Sequence, residues 1–401
     1  MSTNRNHKRK HRLKLKNFKR FLFSTTVTLL IIFVFILFFH NITTKIQPKD
    51  KNTKNNVAMK TNKNISNTTN KSSSQTKPKA AKKDSYTEIL LTSVGDCTLG
   101  TDTKFGYSNS LPCVLDRNNK DFSYFFKNVS SIFKADDFTT ANLETTFTTA
   151  NKKASKAFNF KADPEYAKAL SIASIDAVNI SNNHIHDYLQ KGFDDTKTAL
   201  KNHNVPFFGE GEKFVTTIKG HKFGFLGYQA WSDNQNFLNK IKSDINELKS
   251  QGCTIVINFH WGIERNYQPY NVQKNIAHFS IDNGADLIIG HHPHVVQTIE
   301  KYKDKIICYS LGNFCFGGNF NPKDKDTFIF QTKFKFKNND LTGYDTKIIP
   351  CSISSKTNIN DYCPTPLKGN EKERVLNKLR RLSPTYKNSI KNNFVPVKST
   401  N

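Results

Sequence analysis

The sequence predicts an α/β fold, because short strand-like runs alternate with segments of helical periodicity between residues 87 and 313. Most of these runs are apolar and end in polar residues. Between them, apolar residues recur at steps of three and four, which is the spacing of one helix face. Strands alternating with helices form sheets that helices cover, and polar residues just past the strand ends then gather at one rim.

The predicted elements follow in chain order. The strand-like runs are TEILLTSVGD (87–96), FTTANLE (138–144), DAVNISNNH (176–184), HKFGFLGYQ (221–229), CTIVINFHWG (253–262), ADLIIGHHPH (285–294) and KIICYSLGN (305–313). The helical segments are 163–173, which begins with an Asp-Pro start signal, 189–203 and 271–284. Further on, residues 333–350 predict a hairpin, residues 369–383 a short basic helix, and residues 384–401 a loose tail.

The N-terminal residues predict a single-pass membrane anchor. Residues 1–20 contain nine Lys and Arg and no acid, whereas residues 21–39 carry no charge. At about 1.5 Å per residue, the apolar stretch spans about 28 Å, close to the thickness of a bilayer core. A cleaved signal peptide is the alternative, but the apolar core is long and no small-x-small site follows it. The excess of basic residues before the stretch predicts a basic cytoplasmic head and an extracytoplasmic C-terminal domain.

Residues 40–83 predict a disordered tether, because they are Lys, Asn, Thr and Ser with few apolar residues. The first 83 residues carry +19 of the net charge of +27, which leaves +8 for residues 84–401. Most of the basic charge therefore belongs to tails that suit anionic lipid or an anionic surface polymer, and we expect no nucleic-acid partner. We expect a globular domain over residues 84–360, followed by a C-terminal helix and loose tail over residues 361–401.

The seven cysteines contain no CxxC pair, so zinc-ribbon spacing is absent. We expect most of them to lie in strands, where cysteine packs as a small apolar residue. We assign no disulfide from the sequence.

Seven side chains at strand ends form a donor set suited to metal ions. They are Asp96, Glu144, Asn183, His184, His260, His292 and His294. Such oxygen and nitrogen donors suit Mn, Fe or Zn, and they are numerous enough for two divalent ions, which can together clamp a phosphate. Taken singly, a strand-end aspartate is more often a cap, and His260 beside Trp261 could be a core histidine. The coincidence of all seven favours a metal site, since buried donors without partners are costly.

The turn after residue 290 contains three of the twelve histidines, His291, His292 and His294. Gly290 permits a sharp turn there, and Pro293 stiffens it. His292 and His294, two residues apart, can face one ion. His291 is then a neighbour of the ligands or a phosphate contact, and spacing leaves open which of the three bind metal.

Six motifs, in this order, resemble those of the CapA family of bacterial capsule (poly-γ-glutamate) synthesis proteins. They cover about residues 87–318 and are SVGDCTLG, ANLETTF, NISNNHIHDY, NFHWGIE, GADLIIGHHPHVVQ and YSLGNFCF. The family is similar to the calcineurin-like metallophosphoesterases. The resemblance implies a four-layer α/β/β/α sandwich behind an N-terminal transmembrane helix, with a dinuclear metal site at the strand ends.

Matched residue by residue, the resemblance implies the same ligands. The family's Gly-Asp motif falls on Asp96, Asn-Leu-Glu on Glu144, Asn-Asn-His on Asn183 and His184, His-Trp-Gly on His260, and Gly-His-His-Pro-His on His292 and His294. Other metallophosphoesterases begin with Asp-x-His, but Thr98 stands here in place of the histidine. We therefore expect Glu144 to bridge the ions. Ser174 and Leu189 replace two glycines that are usual in the family.

These observations predict a membrane-anchored, metal-dependent phosphoesterase-like hydrolase of surface-polymer biosynthesis, with other capsule-synthesis membrane proteins as partners. His184, oriented by Asp187, or alternatively His291, would protonate the leaving group. The side chains expected to contact the substrate, a phosphoester or an anionic surface polymer, are Asn142, Glu264 and Asn313. The alternative is a non-catalytic polymer-binding or scaffold subunit of a capsule synthesis and export complex.

Overall fold

The structure is a computed structural model that describes residues 84–397. Its helices are α1 (Leu111–Arg117), α2 (Ser130–Phe133), α3 (Ala167–Ile172), α4 (Leu189–Asn202), α5 (Gln235–Ser250), α6 (Asn271–Asp282) and α7 (Gly369–Leu382). Its strands are β1 (Tyr86–Thr98), β2 (Phe138–Leu143), β3 (Thr146–Phe147), β4 (Lys161–Ala162), β5 (Ala177–Asn179), β6 (Phe207–Phe208), β7 (Phe214–Ile218), β8 (His221–Ala230), β9 (Thr254–Trp261), β10 (Leu287–His291), β11 (Ile299–Tyr302), β12 (Lys305–Cys308), β13 (Asn313–Phe316), β14 (Asp326–Lys337), β15 (Asp340–Ser352), β16 (Thr365–Pro366) and β17 (Val395–Pro396).

The predicted head, anchor and tether (residues 1–83) lie outside the described residues. Between residues 84 and 397, none of the helices combines the length and the apolar composition that a bilayer crossing requires.

The strands form two main sheets and a two-stranded ribbon of β3 and β4. The large sheet has nine strands in the order β16-β15-β14-β1-β2-β5-β6, with β13 also paired to β1 and β17 to β15. The small sheet has six strands in the order β11-β12-β10-β9-β8-β7. Because both sheets combine parallel strands with helical connections, the predicted mixed α/β fold is confirmed.

Three apolar layers separate four layers of secondary structure. The middle layer lies between the two sheets, and the other two lie between each sheet and the helices on its outer face. Helices α1–α4 cover the large sheet, whereas α5 and α6 cover the small one. Representative side chains are Leu91 and Phe225 in the middle layer, Val178 and Leu200 over the large sheet, and Ile257 and Ile245 over the small sheet.

Parallel pairing brings the polar strand ends to one rim. In the large sheet, Asp96 of β1 pairs with Asn142 of β2, which pairs with Asn179 of β5. In the small sheet, His260 of β9 pairs with His291 of β10. A contact of 3.3 Å between Asn142 Nδ2 and His260 Nδ1 joins the two sheets at this rim.

Several elements were not predicted, among them α1, α2 and the short strands β3, β4, β6 and β7, and three further differences stand out. Residues 305–313, predicted as one strand, contain all of β12 and the first residue of β13. These two strands belong to different sheets. Helix α5 was not predicted, although Ile241, Ile245 and Leu248 follow helical spacing and are all buried. The predicted loose tail contains β17 and places Tyr386 and Ile390 in the middle layer, so residues 384–397 are part of the folded unit.

The two departures from the family's glycines fall on left-handed backbone. Ser174 has a φ of 64° and Leu189 a φ of 57°, values that favour glycine because a side chain crowds the backbone. The chain therefore keeps the turn geometry and accepts the strain of a side chain in it.

Candidate metal centre

Asp96 and Glu144 end neighbouring strands of the large sheet. Both side chains are completely buried. Gly95 allows this approach, because a Cβ at that position would lie 2.0 Å from the carbonyl oxygen of Gly312. The Asp96 N–H instead donates to that oxygen at 3.0 Å. The Gly-Asp pair thus brings a carboxylate into the rim where a larger residue would not fit.

The turn after β5 brings Asn183 and His184 to the same rim. Asn182 anchors the turn, because its Nδ2 donates to the carbonyl oxygen of Leu143 at 2.7 Å. Asn183 Oδ1 lies 2.8 Å from His260 Nε2, across the gap between the sheets. His184 Nδ1 lies 2.8 Å from Asp187 Oδ2, and this contact fixes the orientation of the ring.

The histidine turn after β10 has an unusual backbone. His292 has a φ of 96° and His294 a φ of 57°, and the His292 N–H donates to Asp96 Oδ2 at 3.2 Å. Strained residues of this kind persist only where the surroundings hold them, and they cluster at functional sites. Gly290 is required here, since a Cβ would lie 2.0 Å from the carbonyl oxygen of Tyr309.

Three overlapping groups of donor atoms result. Within each group, the ligand atoms lie within 4.8 Å of one another. The groups are Glu144, His260 and His292; Asp96, Glu144 and His294; and Glu264, His292 and His294. Glu144 belongs to the first two groups, and its Oε1 lies 3.5 Å from His260 Nε2 and 3.8 Å from His294 Nε2.

The hydrogen bonding of the cluster is incomplete in a way that fits a divalent metal. Neither oxygen of the buried Glu144 carboxyl has a hydrogen-bond partner, and His292 Nδ1 also lacks one. A buried carboxylate without partners costs several kcal/mol or neutralises itself, whereas coordination to a cation satisfies it. Carboxylate and imidazole donors are those that Mn, Fe and Zn accept.

The carboxyl groups have strongly shifted pKa values. Burial raises the pKa of Glu144 well above its ordinary value, and the nearby Asp96 charge raises it further. Burial acts in the same direction on Asp96, but hydrogen bonds and charge from His291 and His294 hold its pKa well below the ordinary value. The protein's own side chains thus stabilise the negative charge of Asp96. The charged form of Glu144 would need further positive charge nearby.

The imidazoles divide into neutral and charged rings. Burial lowers the pKa of His260 well below its ordinary value, and burial with the charge of His294 lowers that of His292 to about 3. Burial opposes charge on His294 too, but Glu144 and Asp96 outweigh it and raise its pKa to about 9. His260 and His292 therefore have lone pairs available for a cation at neutral pH.

Asn142 and Asn313 do not have the surroundings expected of substrate contacts. Asn142 is fully buried, donates to Asp96 Oδ1 at 2.9 Å and accepts from Asn179 Nδ2 at 2.9 Å. Asn313 Oδ1 lies 2.9 Å from His294 Nδ1. Asn142 thus orients Asp96, and Asn313 orients His294, because each amide is hydrogen-bonded to that donor. Glu264 is exposed, as expected of a substrate contact, but its carboxylate also belongs to a donor group.

The two remaining predicted histidines differ in their surroundings. His291 is buried, with Nε2 at 3.0 Å from Asn258 Oδ1 and Nδ1 at 3.3 Å from Asp96 Oδ1. Both nitrogens thus face protein oxygens, and the role of His291 as proton donor to the substrate stays a prediction. His184 belongs to none of the three donor groups found among residues 84–397, so its predicted part as a metal ligand finds no support there.

Sequence reasoning missed three residues of the site. Trp231 follows β8, is 44% exposed, and has its ring centroid 4.8 Å from that of His292. Asn258 lies two residues before His260 on β9 and holds His291. Lys156 contacts the turn after β5. The period-two spacing of Asn258 and His260 was a usable signal, but nothing near Trp231 or Lys156 resembles a ligand motif.

Comparison with known proteins agrees with the motifs. Residues 90–318, more than half of the chain, match the family described as "Bacterial capsule synthesis protein PGA_cap". The capsule biosynthesis protein CapA of Bacillus anthracis is 30% identical in an alignment of 322 positions that covers 73% of this chain and 73% of the relative. The PGA biosynthesis protein CapA of Bacillus subtilis is 28% identical over 61% of this chain and 67% of the relative. A solved structure, TT1561 of Thermus thermophilus, is similar with a TM-score of 0.35 and 11% identity, covering 61% of this chain and 94% of the other. The chain belongs to the CapA family of bacterial capsule synthesis proteins.

Proposed function

We propose that this protein is a metal-dependent phosphoesterase-like hydrolase that acts in the biosynthesis of a poly-γ-glutamate type surface polymer. The single observation that carries the proposal is Glu144. Its carboxyl group is fully buried, lacks a hydrogen-bond partner and belongs to two donor groups at once. A carboxylate in that position would suit a ligand of two cations, which would supply the partners that the protein does not.

The donor groups would hold two divalent ions, Mn, Fe or Zn. Asp96, Glu144 and His294 would bind one ion. Glu144, His260 and His292 would bind the other, with Asn183 adjacent through the contact of its Oδ1 with His260 Nε2. Such ions supply charge for the phosphate oxygens and activate water, as in other two-metal sites.

The protein's own groups would orient the cluster and move a proton. Asp187 holds His184 by Nδ1, so that Nε2 is the nitrogen left to protonate a leaving group. His291 would keep Asp96 in place, because it lies between Asp96 and Asn258. Glu264, exposed beside His292 and His294, would lie where the substrate enters.

The proposed location is the outer face of the cell membrane. The support is the uncharged stretch 21–39 behind a basic head, and the names of the relatives, which refer to capsule and PGA biosynthesis. The substrate would be a phosphoester or the anionic polymer itself, and other capsule-synthesis membrane proteins would be partners. A tag at the C-terminus, labelled in intact cells with a membrane-impermeant biotin reagent, would test the orientation. Labelling that appears only after lysis would contradict the proposed location.

The enzymatic proposal is tested on the full-length protein. We expect elemental analysis to find Mn, Fe or Zn, and a generic phosphodiester to be hydrolysed. The His292→Ala variant should lose both the bound metal and the hydrolysis. The His278→Ala variant should keep both, since His278 lies on the outer helix α6 and pairs with Glu300 of β11. If the wild-type protein holds no metal and His292→Ala changes nothing, the proposal is wrong.

Thr98 favours a second candidate function, a non-catalytic polymer-binding or scaffold subunit. This residue takes the place of a usual histidine ligand, and its buried hydroxyl has no hydrogen-bond partner. A variant with both His260→Ala and His292→Ala separates the two functions in a strain that lacks the protein. Restored surface polymer would support the scaffold, and its loss together with retained protein levels would support the hydrolase.

A further inference from the structure

Lys156 reaches the turn that carries Asn183 and His184 from a distant loop, the one between β3 and β4. Its Nζ lies 2.6 Å from the carbonyl oxygen of Asn183 and 2.5 Å from Asp187 Oδ1. It also lies 3.4 Å from His184 Nδ1. One ammonium group therefore contacts three successive features of the turn: a backbone carbonyl, an imidazole and a carboxylate.

The rest of the loop closes on the same turn. The Ala154 N–H donates to the carbonyl oxygen of Asp187 at 2.8 Å, and the Phe160 N–H donates to Asp187 Oδ2 at 2.5 Å. The ring centroids of Phe160 and His184 are 4.5 Å apart. Residues 154–160 thus form a clamp around residues 183–187.

The burial of Asp187 makes the charge of Lys156 important. The Asp187 side chain is fully buried, whereas the Lys156 side chain is 30% exposed. An exposed ion pair contributes little to stability, but a buried carboxylate that loses its partner is strongly destabilised. Among the described residues, the ion pairs of Asp187 are with Lys156 and His184.

We propose that Lys156 is a positioning residue that sets the affinity of the cluster for its cation without contacting the cation. Asn183 is held at both ends, by Lys156 at its carbonyl oxygen and by His260 at its Oδ1. Loss of the ammonium group frees the turn, so Asn183 and His184 no longer face the cluster in one orientation. Lys156 thus acts on the ligand His260 through Asn183, and residues that support metal ligands typically change metal affinity by about 10–100-fold.

The test compares three variants of the full-length protein. Lys156→Met removes the charge at similar length, Lys156→Arg keeps charge and donors, and Lys152→Met is the control because Lys152 is an exposed lysine of the same loop. We expect Mn²⁺ affinity, measured by equilibrium dialysis, to fall about 10–100-fold in Lys156→Met and to recover in large part in Lys156→Arg. Lys152→Met should match the wild type.

A second measurement does not depend on metal or on activity. Hydrogen exchange of the metal-free protein should be faster at residues 183–187 in Lys156→Met, with the rest of the domain protected as in the wild type. The role of Lys156 in metal affinity rests on the proposed metal site, whereas its role in the turn does not. If the wild-type protein does not bind Mn²⁺, the proposed function is refuted, but the role of Lys156 in the turn is not. Unchanged exchange at residues 183–187, or unchanged Mn²⁺ affinity where the wild type binds, would refute the inference about Lys156.

Discussion

Replacing Glu144 by glutamine should have opposite effects on the metal-free and the metal-bound protein. In the metal-free protein the change removes a buried carboxyl group that has no hydrogen-bond partner and lies beside the Asp96 carboxylate. The glutamine amide would lack partners there as well, but it cannot ionise beside Asp96, and a neutral amide is less costly to bury than a charge. In EDTA we therefore expect Glu144→Gln to be at least as stable as the wild type.

With metal the order reverses. A cation at 100 times its Kd stabilises the wild type by about 2.7 kcal/mol, which corresponds to a rise in Tm of about 5 °C in a protein of this size. The glutamine variant lacks the bridging charge and should gain little. Thermal unfolding of both proteins, with EDTA and with Mn²⁺, measures the four values.

Glu300→Gln is the control for this prediction. Glu300 Oε2 accepts from the Tyr309 hydroxyl at 2.8 Å, and among the described residues Glu300 belongs to none of the three donor groups. Its replacement should lower Tm equally with EDTA and Mn²⁺ and keep the metal-induced rise. A full Mn²⁺-induced rise in Glu144→Gln, or a loss of several kcal/mol in EDTA, would show that Glu144 is a structural carboxylate.

Three further predictions concern the stability of the metal-free protein. Ser174→Gly should raise the free energy of unfolding by about 0.5–1 kcal/mol because the φ of Ser174 is positive, whereas Ser171→Gly in α3 should lower it by a similar amount. Urea unfolding measures both changes. If both variants change the free energy of unfolding in the same direction, the backbone argument is wrong. Asp326→Asn should cost about 2 kcal/mol at pH 7, because burial alone raises the pKa of Asp326 but its bonds to two basic side chains of α7 lower it overall. Since the folded pKa is the lower one, this stabilisation is present above the unfolded pKa of about 3.9 and disappears as the pH falls through the folded pKa; a difference between the proteins that stays constant from pH 7 to pH 3 in urea unfolding would refute it. Gly290→Ala should lower stability by about 1–3 kcal/mol or more, since the new methyl group would meet the Tyr309 carbonyl oxygen at 2.0 Å, and an unchanged Tm would contradict that geometry.

Much of the fold followed from the sequence because its signals are local. Strand-like runs ending in Asp96, His260 and His291 became β1, β9 and β10, and helical spacing over 189–203 and 271–284 became α4 and α6. Residues 305–313 misled because one apolar run crosses from the small sheet to the large one, and nothing in its composition marks the change. The tail was misjudged since Tyr386 and Ile390 are isolated apolar residues, and only the finished sandwich offers them a place.

The site was predictable where chemistry and position coincide. Metal-type donors at strand ends identified Asp96, Glu144, His260, His292 and His294, which the structure brings together. Contacts that depend on distant loops were not predictable, because sequence spacing does not show which loop lies over which strand end. Lys156 is 27 residues from Asn183 along the chain and 2.6 Å from it in space. The same limit explains Asn142, which chemistry allows beside a substrate but burial assigns to the support of Asp96.

The direction of β1 has a practical consequence. Its first residue, Tyr86, is 75% exposed, and its donor Asp96 lies near the opposite end. Thirteen extended residues at about 3.3 Å each separate these ends by roughly 40 Å. A resin or partner attached directly at residue 84 would therefore be joined at the end of β1 that faces away from the donors. Attachment there should leave the rim open to large soluble molecules, whereas a bulky fusion inserted after β10 should block it.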